Sequence, residues 1–444
     1  MIELSVEAIT IIMLGVVFVG LLSGFPIAFV LGTAAIIFGY PVFGNLIGEL
    51  IYTRIWGFIV NYVVLAVPLF TFMGLMLERS GITERLYDVL YLWLGGFRGG
   101  LAIVTVLIGT ILAACIGVIT ASVTVLTLVA LPPMLKRGYN RSLATGSVCA
   151  GGCLGILIPP SIMLVVYGPM AQVSVGKLFF GAFGPGLTLS ALYCSYIALR
   201  SAFQPRVAPP VPLEERAVPF LKKTIMLLTV LVPPGLLIMS VLGVIFLGIA
   251  AVTEAAAIGA FAATLLAIIY RKFSWRVLKE VTLSTMSVCG FVFLLAGMAF
   301  AFTGVFIGAG GGDVVRDFIL ASPGGRWGAF VVIMFIIFML GFFIDWWGIV
   351  FIMVPIMTPL APALGFDPIW FAIMVCVNLQ MSFMTPPFAP AIFLVKGTAD
   401  PSLEITIGEI IRGVIPFVLL IMVGLGLCVF FPELILWLPG QMIK

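Results

Sequence analysis

Residues 151–168 read GGCLGILIPPSIMLVVYG, and this stretch decides how the chain is built. Glycines and two adjacent prolines, Pro159 and Pro160, interrupt a segment that is otherwise apolar enough to cross a membrane. Because proline lacks a backbone N–H and its ring clashes with the preceding turn, the pair should break a helix here. In hydrocarbon the freed backbone groups then need protein, water or an ion as partners.

The composition places the whole chain in a membrane. Of its 444 residues 63% are hydrophobic and 9% are charged, and the mean hydropathy is +1.30. At about 20 residues per crossing the chain has room for on the order of a dozen spans. The apolar runs are continuous, whereas a membrane β-barrel would alternate apolar and polar residues. We therefore predict an all-α polytopic membrane protein.

The apolar runs divide the chain into fourteen segments and one long polar connection. We predict segments near residues 5–22, 25–40, 57–77, 101–117, 119–134, 142–168, 178–199, 224–247, 250–270, 285–308, 328–343, 347–363, 369–395 and 410–435. Residues 5–40 also fit a single span. Two pairs of neighbouring segments, 101–117 with 119–134 and 328–343 with 347–363, are each separated by a short interruption. Such pairs are typical of re-entrant hairpins. The Pro-rich and charged stretch 201–223 separates two halves.

The two halves repeat one another. A shift of 227 positions places Pro159-Pro160 on Pro386-Pro387 and Gly138 on Gly365. Shared apolar runs would match Leu and Val, not Pro and Gly, so an internal repeat is the better explanation. We predict N-terminal scaffold helices at 1–56, a first repeat at 57–200 and a second repeat at 285–435. Between the repeats, 201–284 would hold a cytoplasmic linker, scaffold helices and an interfacial arm helix at 271–286. Each repeat would contain a hairpin and a Pro-Pro-broken helix, at 142–168 and at 369–395.

The positive charges indicate that the repeats have opposite orientations. The loop after the first hairpin carries Lys136, Arg137 and Arg141, whereas its counterpart LAPALGFDP carries no cation. Under the positive-inside rule the first loop is cytoplasmic and the second is not. The cations that then fall outside are Arg54, Lys177, Arg316, Arg326 and Lys444. Broken segments at matching places in two inverted halves indicate the binding site of a secondary transporter.

The breaks and the hairpin tips offer groups that bind ions. Unwound backbone frees carbonyl oxygens for a small cation, and the helix N-terminus after each Pro pair favours an anion. The tips add Thr120, Ser122 and Thr124 in the first half and Asp345 in the second. A carboxylate in a membrane segment is costly unless it is paired or hydrated, which favours a functional role for Asp345. Glu254 near a span end fits either an ion site or a helix cap.

At this point the chain resembles the large membrane subunit of the tripartite ATP-independent periplasmic (TRAP) transporters, DctM-like permeases of the ion-transporter superfamily. The resemblance rests on GGCLGILIPPSIMLVVYG and the preceding ALPPMLKRGYNR, and on FIDWWGIVFIMVPIMTPLA and NLQMSFMTPPFAPAIFLVKG. It implies an elevator-type, sodium-coupled importer of an organic acid in a bacterial or archaeal inner membrane. It also implies a separate four-helix membrane subunit and a periplasmic substrate-binding protein as partners, besides the lipid bilayer. We expect an unfused large subunit with an uncleaved first span.

The resemblance also implies site residues. Two or more Na⁺ ions would be held by Thr120, Ser122, Gly152, Gly155 and Pro159 in the first half, and by Asp345, Gly348, Ser382, Thr385 and Pro386 in the second. The organic acid would contact Thr120, Ser122, Ser161, Trp346, Trp347 and Thr385. The two tryptophans beside the second tip indicate room for an apolar or aromatic acid.

Other function classes fit less well. An intramembrane enzyme needs a nucleophile–base pair or a metal cluster, and the chain has no histidine. Cys149 and Cys153 lie one helical turn apart without further ligands, a poor metal site. The scattered cations exclude a nucleic-acid partner, and no Walker motif or organic-cofactor motif is present, so we expect no ATP dependence. The alternative that stays open is a stand-alone inverted-repeat carrier of anions or carboxylates, possibly driven by protons.

Overall fold

The computed structural model of the chain describes residues 5–117, 119–212 and 214–443. Val118 at the first tip and Lys444, which the charge pattern assigns to the outer side, lie outside these ranges. All regular structure in the described residues is helical, which confirms the all-α prediction. Within these ranges, eight helical stretches are long and apolar enough to cross a membrane.

The first half holds ten α-helices among its described residues. In chain order they are α1 (Val6–Leu22), α2 (Ile27–Phe43), α3 (Ile47–Ile59), α4 (Ala66–Arg79), α5 (Ile82–Leu94), α6 (Gly100–Ile116), α7 (Ile119–Lys136), α8 (Arg141–Cys153), α9 (Ile162–Ala171) and α10 (Val175–Phe203). Residues 5–40 therefore form two helices, which Ser23–Pro26 separate.

The second half continues with helices of similar design. They are α11 (Phe220–Phe246), α12 (Val252–Ile269), α13 (Trp275–Gly308), α14 (Gly311–Leu320), α15 (Gly325–Leu340), α16 (Trp346–Met357), α17 (Leu360–Ala363), α18 (Pro368–Ser382), α19 (Pro390–Thr398), α20 (Ile407–Phe430) and α21 (Glu433–Gly440). Glu254 is a helix cap, because its Oε2 accepts from the Ala251 N–H at 2.9 Å at the start of α12.

We divide the helices into two groups, which also contact each other where α4 and α5 pack on α6 and where α13 packs on α16. In the first, which we call the frame (α1–α5 and α11–α14), α4 packs on α12 and α13, and α13 packs on α2 and α3. In the second, which we call the core unit (α6–α10 and α15–α21), α8 packs on α6, α7 and α20, and α18 packs on α10, α15 and α20. Both hairpins and both broken helices belong to the core unit.

The internal repeat is visible in the backbone. Gly138 and Gly365 have φ of 76° and 73° at the loops before the broken helices. Two residues later the Asn140 side chain accepts from the Leu143 N–H, and the Asp367 side chain accepts from the N–H groups of Ile369 and Trp370. Each broken helix therefore begins with the same left-handed turn and side-chain cap.

Three predicted boundaries are wrong. The predicted arm helix at 271–286 and the following span form one 34-residue helix, α13, because no Gly or Pro occurs between residues 275 and 289 to end it. The predicted boundary between 284 and 285 thus falls inside this helix. The boundary between 56 and 57 falls inside α3, and the last predicted span is divided into α20 and α21 before Glu433.

The linker between the halves is tied to the base of the first hairpin. The Asn140 N–H donates to the Val207 carbonyl at 2.8 Å, and the Val211 N–H donates to the Gly95 carbonyl at 2.7 Å. Arg137 at the end of α7 forms an ion pair with Glu215. The linker is therefore an ordered part of the molecule at these contacts.

Candidate functional site

Both Pro-Pro stretches interrupt their helices as the sequence predicts. In the first half, a 3₁₀ turn at Leu154–Ile156 follows α8 and a non-helical stretch leads to Ser161. In the second half, residues 383–389 separate α18 from α19. The two Pro-Pro peptide bonds are both cis. The first break is buried throughout, whereas Pro386, Pro387 and Phe388 of the second are exposed.

Each hairpin lies against the broken helix of its own half. At the first tip Gly117 has φ of 64°, and a Cβ there would lie 2.9 Å from the Pro160 carbonyl oxygen. In the second hairpin a Cβ on Gly341 would overlap the Ser382 side chain. The side chain of Asp345 caps α16 by accepting from the Trp346 N–H at 2.8 Å. Small residues thus permit close contact between hairpin and break in both halves.

The two halves also contact each other crosswise. Helix α19 of the second half packs on α7 and α8 of the first, and α9 of the first packs on α16 of the second. The hydroxyls of Tyr167 and Thr358 lie 3.4 Å apart across this contact. The crosswise packing brings the two tips and the two breaks to one place.

A cavity of about 380 Å³ lies where these elements meet. Its walls come from both tips, from both breaks with the helices that follow them, and from α13. The lining residues are Gly117, Ile119 and Thr120 at the first tip, Ile156 in the first break and Ile162 in α9, Asp345, Trp346 and Trp347 at the second tip, Phe383 and Phe388 in the second break and Pro390 and Leu394 in α19, and Ser287, Val288 and Phe291 in α13. The cavity therefore lies between the core unit and a frame helix, with a volume at the lower end of small-molecule sites.

The cavity wall is aromatic with few polar groups. Trp346 and Trp347 stack with their ring centroids 3.8 Å apart, and Trp347 stacks further on Phe351 at 6.0 Å. The polar side chains of the wall are those of Thr120, Ser287 and Asp345. This arrangement suits a small molecule with an apolar body and a few polar groups.

The structure brings only part of the predicted substrate set to the cavity wall. Thr120, Trp346 and Trp347 line it. The Ser161 hydroxyl is buried and donates to the Ile156 carbonyl inside the first break. The Thr385 hydroxyl donates to the Met381 carbonyl at 2.7 Å. Both hydroxyls satisfy the broken backbone of their own half, and neither residue contributes to the wall.

The predicted ion ligands of the first half come together. The Ser122 hydroxyl is buried without a hydrogen-bond partner among the described residues. Val123, which follows Ser122 in α7, lies close to Gly152 of α8: a Cβ on Gly152 would be 3.0 Å from the Val123 Cα. Helices α7 and α8 are therefore in direct contact here. Gly155 lies in the 3₁₀ turn that follows. The carbonyls of Leu157, Ile158 and Pro159 accept no hydrogen bond from the described residues.

The predicted ion ligands of the second half are less concentrated. Asp345 lines the cavity. The Ser382 hydroxyl donates to the Leu379 carbonyl at 2.5 Å, and Pro386 is exposed beside Thr385. A Cβ on Gly348 would point at Ile27 of α2 and at Ile344, not at Ser382.

The donor atoms present suit a hard cation better than a soft transition metal. Among the described residues no three His, Cys, Asp or Glu side chains group together as a metal site. Hydroxyl, carbonyl and carboxylate oxygens remain, and such oxygens bind hard cations.

Sequence reasoning missed several residues. Ser287 and Phe291 of α13 line the cavity from the frame, and the polar run STMS at 284–287 in an apolar helix was an available signal. Gln380 is fully buried, and neither atom of its amide has a partner among the described residues. It lies two residues before Ser382, on the opposite face of α18.

The chain is similar to known proteins in family, sequence and structure. Residues 14–434 match the family model described as the tripartite ATP-independent periplasmic transporter, DctM component. The C4-dicarboxylate TRAP transporter large permease protein DctM of Pseudomonas aeruginosa is 31% identical over 86% of this chain and 87% of its own length. The ectoine/5-hydroxyectoine TRAP transporter large permease protein UehC of Ruegeria pomeroyi is 30% identical over 94% and 96%.

The fold is shared with a solved transporter structure. The Alcanivorax borkumensis YdaH transporter, described as having an unusual topology, aligns with a TM-score of 0.63 over 86% of this chain and 88% of that chain. Its sequence identity is 16%, so this likeness concerns the fold alone.

Proposed function

Because the chain belongs to the DctM-component family of tripartite ATP-independent periplasmic transporters, we propose that it imports an organic acid together with Na⁺ by an elevator mechanism. It is a multi-pass permease of the inner membrane, not an enzyme. The ion, the mechanism and the substrate are the parts that we propose.

One observation carries the proposal: a single cavity receives both hairpin tips, both broken helices and the frame helix α13. A site at the boundary between two packing groups is exposed or covered when one group slides along the other. Since Thr120 belongs to the core unit and Ser287 to the frame, such sliding would separate them. This geometry supports an elevator in which the core unit carries the substrate past α13.

The charge at the cavity supports a coupled cation. Asp345 places a carboxylate in the wall, and an anionic substrate beside it would be repelled strongly in this low-dielectric environment. A cation close to the second tip removes this repulsion. The Ser122 hydroxyl and the carbonyls of Leu157 and Ile158, for which the described residues supply no hydrogen-bond partner, offer neutral oxygens for a second cation. Cation binding at the two sites would thereby favour substrate binding.

The wall chemistry restricts the substrate. The relatives named above are large permease proteins of a C4-dicarboxylate transporter and of an ectoine/5-hydroxyectoine transporter. Here the stacked Trp346 and Trp347 and the nearby Phe291 give the wall an aromatic surface. We therefore propose a small organic acid whose body is apolar or aromatic. Its carboxylate would lie near Thr120 and the start of α9.

The proposal includes two protein partners. A small membrane subunit would pack on the frame as a separate polypeptide, and a periplasmic binding protein would deliver the acid. Import would then depend on that binding protein, which distinguishes this function from that of a stand-alone carrier.

The first test is the thermal unfolding of the purified protein, with its small subunit, in Na⁺ against K⁺ and choline. If Na⁺ binds the folded state with a millimolar constant, about 100 mM should add roughly 1–3 kcal/mol. We expect a shift specific for Na⁺ that Ser122→Ala and Asp345→Asn each reduce. Ser240→Ala, in the frame helix α11, should leave the shift unchanged.

The second test is uptake in proteoliposomes with a panel of organic acids. We expect uptake only with the binding protein present and with an inward Na⁺ gradient. Equal unfolding shifts in all three salts would contradict sodium coupling, and uptake without the binding protein would favour the stand-alone carrier.

A further inference from the structure

An apolar cleft of about 430 Å³ lies between the frame and the second hairpin. Helix α1 forms one wall, α15 and α16 form the opposite wall, and α14 borders one end. All the side chains that line it are apolar. The cleft is distinct from the cavity at the two tips, with which it shares no lining residue.

The neighbouring helices leave this space open. A Cβ on Gly15, in the middle of α1, would meet no atom within 4 Å. Phe18 and Phe318 at the rim are 37% and 66% exposed, so the cleft opens toward the surroundings of the protein. An unfilled apolar space forfeits dispersion contacts along its whole lining.

Water is a poor occupant. A buried water needs two to four polar partners, and the lining offers no polar side chain. The helices that form the walls are apolar helices of a membrane protein, so the medium at the mouth is hydrocarbon. An acyl chain from the bilayer is therefore the available occupant.

One end of the cleft carries a cation. Val315 and Ile319 of α14 contribute to the lining, and Arg316 between them is exposed. Arg316 forms no ion pair within the described part of the chain. Helix α14 has an apolar face toward the cleft and a charged face with Asp313 and Asp317, as helices at the membrane surface do. A guanidinium here complements a phosphate at headgroup level.

We propose that the cleft binds one acyl chain of a glycerophospholipid whose phosphate lies at Arg316. The chain enters beside α14 and runs along α1 between Leu14 and Leu21, a rise of about 10 Å. Its inner end reaches Ile344, the residue before Asp345. The lipid thereby fills the contact between α1 and the second hairpin, next to the tip that forms the cavity wall.

The test is native mass spectrometry of the protein purified from membranes in a mild detergent. We expect wild-type protein to retain a phospholipid, and Gly15→Leu, whose side chain fills the cleft, to lower the lipid-bound fraction at least fivefold. Gly290→Leu is the matched control, because a Cβ at Gly290 in α13 also meets nothing within 4 Å and lies outside the cleft. Leu14→Trp provides a second cleft-filling variant in case Gly15→Leu does not fold.

Two further arms identify what is bound. Phosphatidylglycerol added to delipidated protein should restore the bound mass, whereas glycerol phosphate should not, and Arg316→Gln should weaken rebinding while Lys177→Gln does not. Retention of lipid by both cleft-filling variants would overturn the proposal. So would a result in which Gly15→Leu releases the small membrane subunit and leaves the bound lipid unchanged, because the cleft would then be a protein contact.

Discussion

Gly117 shows how one residue controls the distance between a hairpin tip and a break. It combines a left-handed backbone with a neighbour, the Pro160 carbonyl, that lies 2.9 Å from where a Cβ would be. Any other side chain would be strained by the backbone and would also push the tip away from the first break. The position therefore requires glycine for two separate reasons.

A matched pair of variants separates these two reasons. Gly117→Ala and Gly138→Ala both place a Cβ at positive φ, 64° and 76°, but a Cβ at Gly138 meets nothing within 4 Å. We expect both to lose about 1–2 kcal/mol from the backbone, and only Gly117→Ala to lose the sodium-specific unfolding shift. Thermal unfolding in Na⁺ and in choline measures both effects. Equal sodium shifts for the two variants would contradict a role of this contact in the site.

Single residues also mark the limit of sequence reasoning. The breaks at the Pro pairs and the cap by Asp345 were predictable because they follow from local backbone chemistry. The hydrogen-bond partners of the Ser161 and Thr385 hydroxyls were not predictable. A hydroxyl beside a broken helix can donate to a nearby backbone carbonyl instead of to a ligand. Ser287 was missed because its place in the wall depends on which helix packs against the core unit.

Among the elements, the linker between the halves gives a prediction about pH. Hydrogen bonds from Tyr91 and Arg137 hold the pKa of the Glu215 carboxyl below its ordinary value of 4.5. Because the pKa is lowered in the folded state, ionised Glu215 stabilises the fold above about pH 4.5. This contribution is lost as the pH falls below that value and the carboxyl becomes protonated. The carboxyl is half exposed, so the effect is small and screened by salt.

We expect limited proteolysis of the linker to become faster below about pH 4.5 in wild-type protein. Glu215→Gln should show the faster rate already at neutral pH and lose most of the pH dependence. Glu214→Gln is the control, because the Glu214 carboxyl is adjacent in the chain but makes none of the hydrogen bonds described for Glu215. A Glu215→Gln linker that is cleaved at the wild-type rate at neutral pH would contradict the assigned contact.

The elements that the sequence predicted well are those punctuated by Gly and Pro. Both hairpins, both broken helices and the linker follow such punctuation, and they appear close to the predicted bounds. The arm helix at 271–286 was wrong because its basic residues were interpreted as a change of environment, although nothing in the backbone chemistry ends the helix there. A change in composition indicates where a helix leaves the membrane, but it does not indicate the residue at which the helix ends.

For the whole molecule, the elevator proposal predicts what a cross-link does. Thr120 and Ser287 line one cavity from the core unit and the frame. With both replaced by Cys in a variant without the native cysteines, a reducible bifunctional thiosulfonate should join the two groups. We expect uptake of whichever organic acid the proteoliposome panel selects to stop and to recover after reduction.

The control cross-link joins helices of one group. Thr110 of α6 and Ser190 of α10 have hydroxyls 2.7 Å apart, and both helices belong to the core unit. The same reagent on Thr110→Cys/Ser190→Cys should leave uptake near its starting rate. Full uptake with the Thr120–Ser287 cross-link in place would show that the two groups need not move apart.

The unequal burial of the two breaks has a consequence for the transport cycle. The same motif occurs twice with the same turn and cap, yet residues 154–161 are buried and residues 386–388 are exposed. One sequence pattern is thus held in two different surroundings at once. Under the elevator proposal, movement of the core unit past α13 would expose the first break and cover the second. Each half would then show, in this state, the surroundings that the other half has in the opposite state.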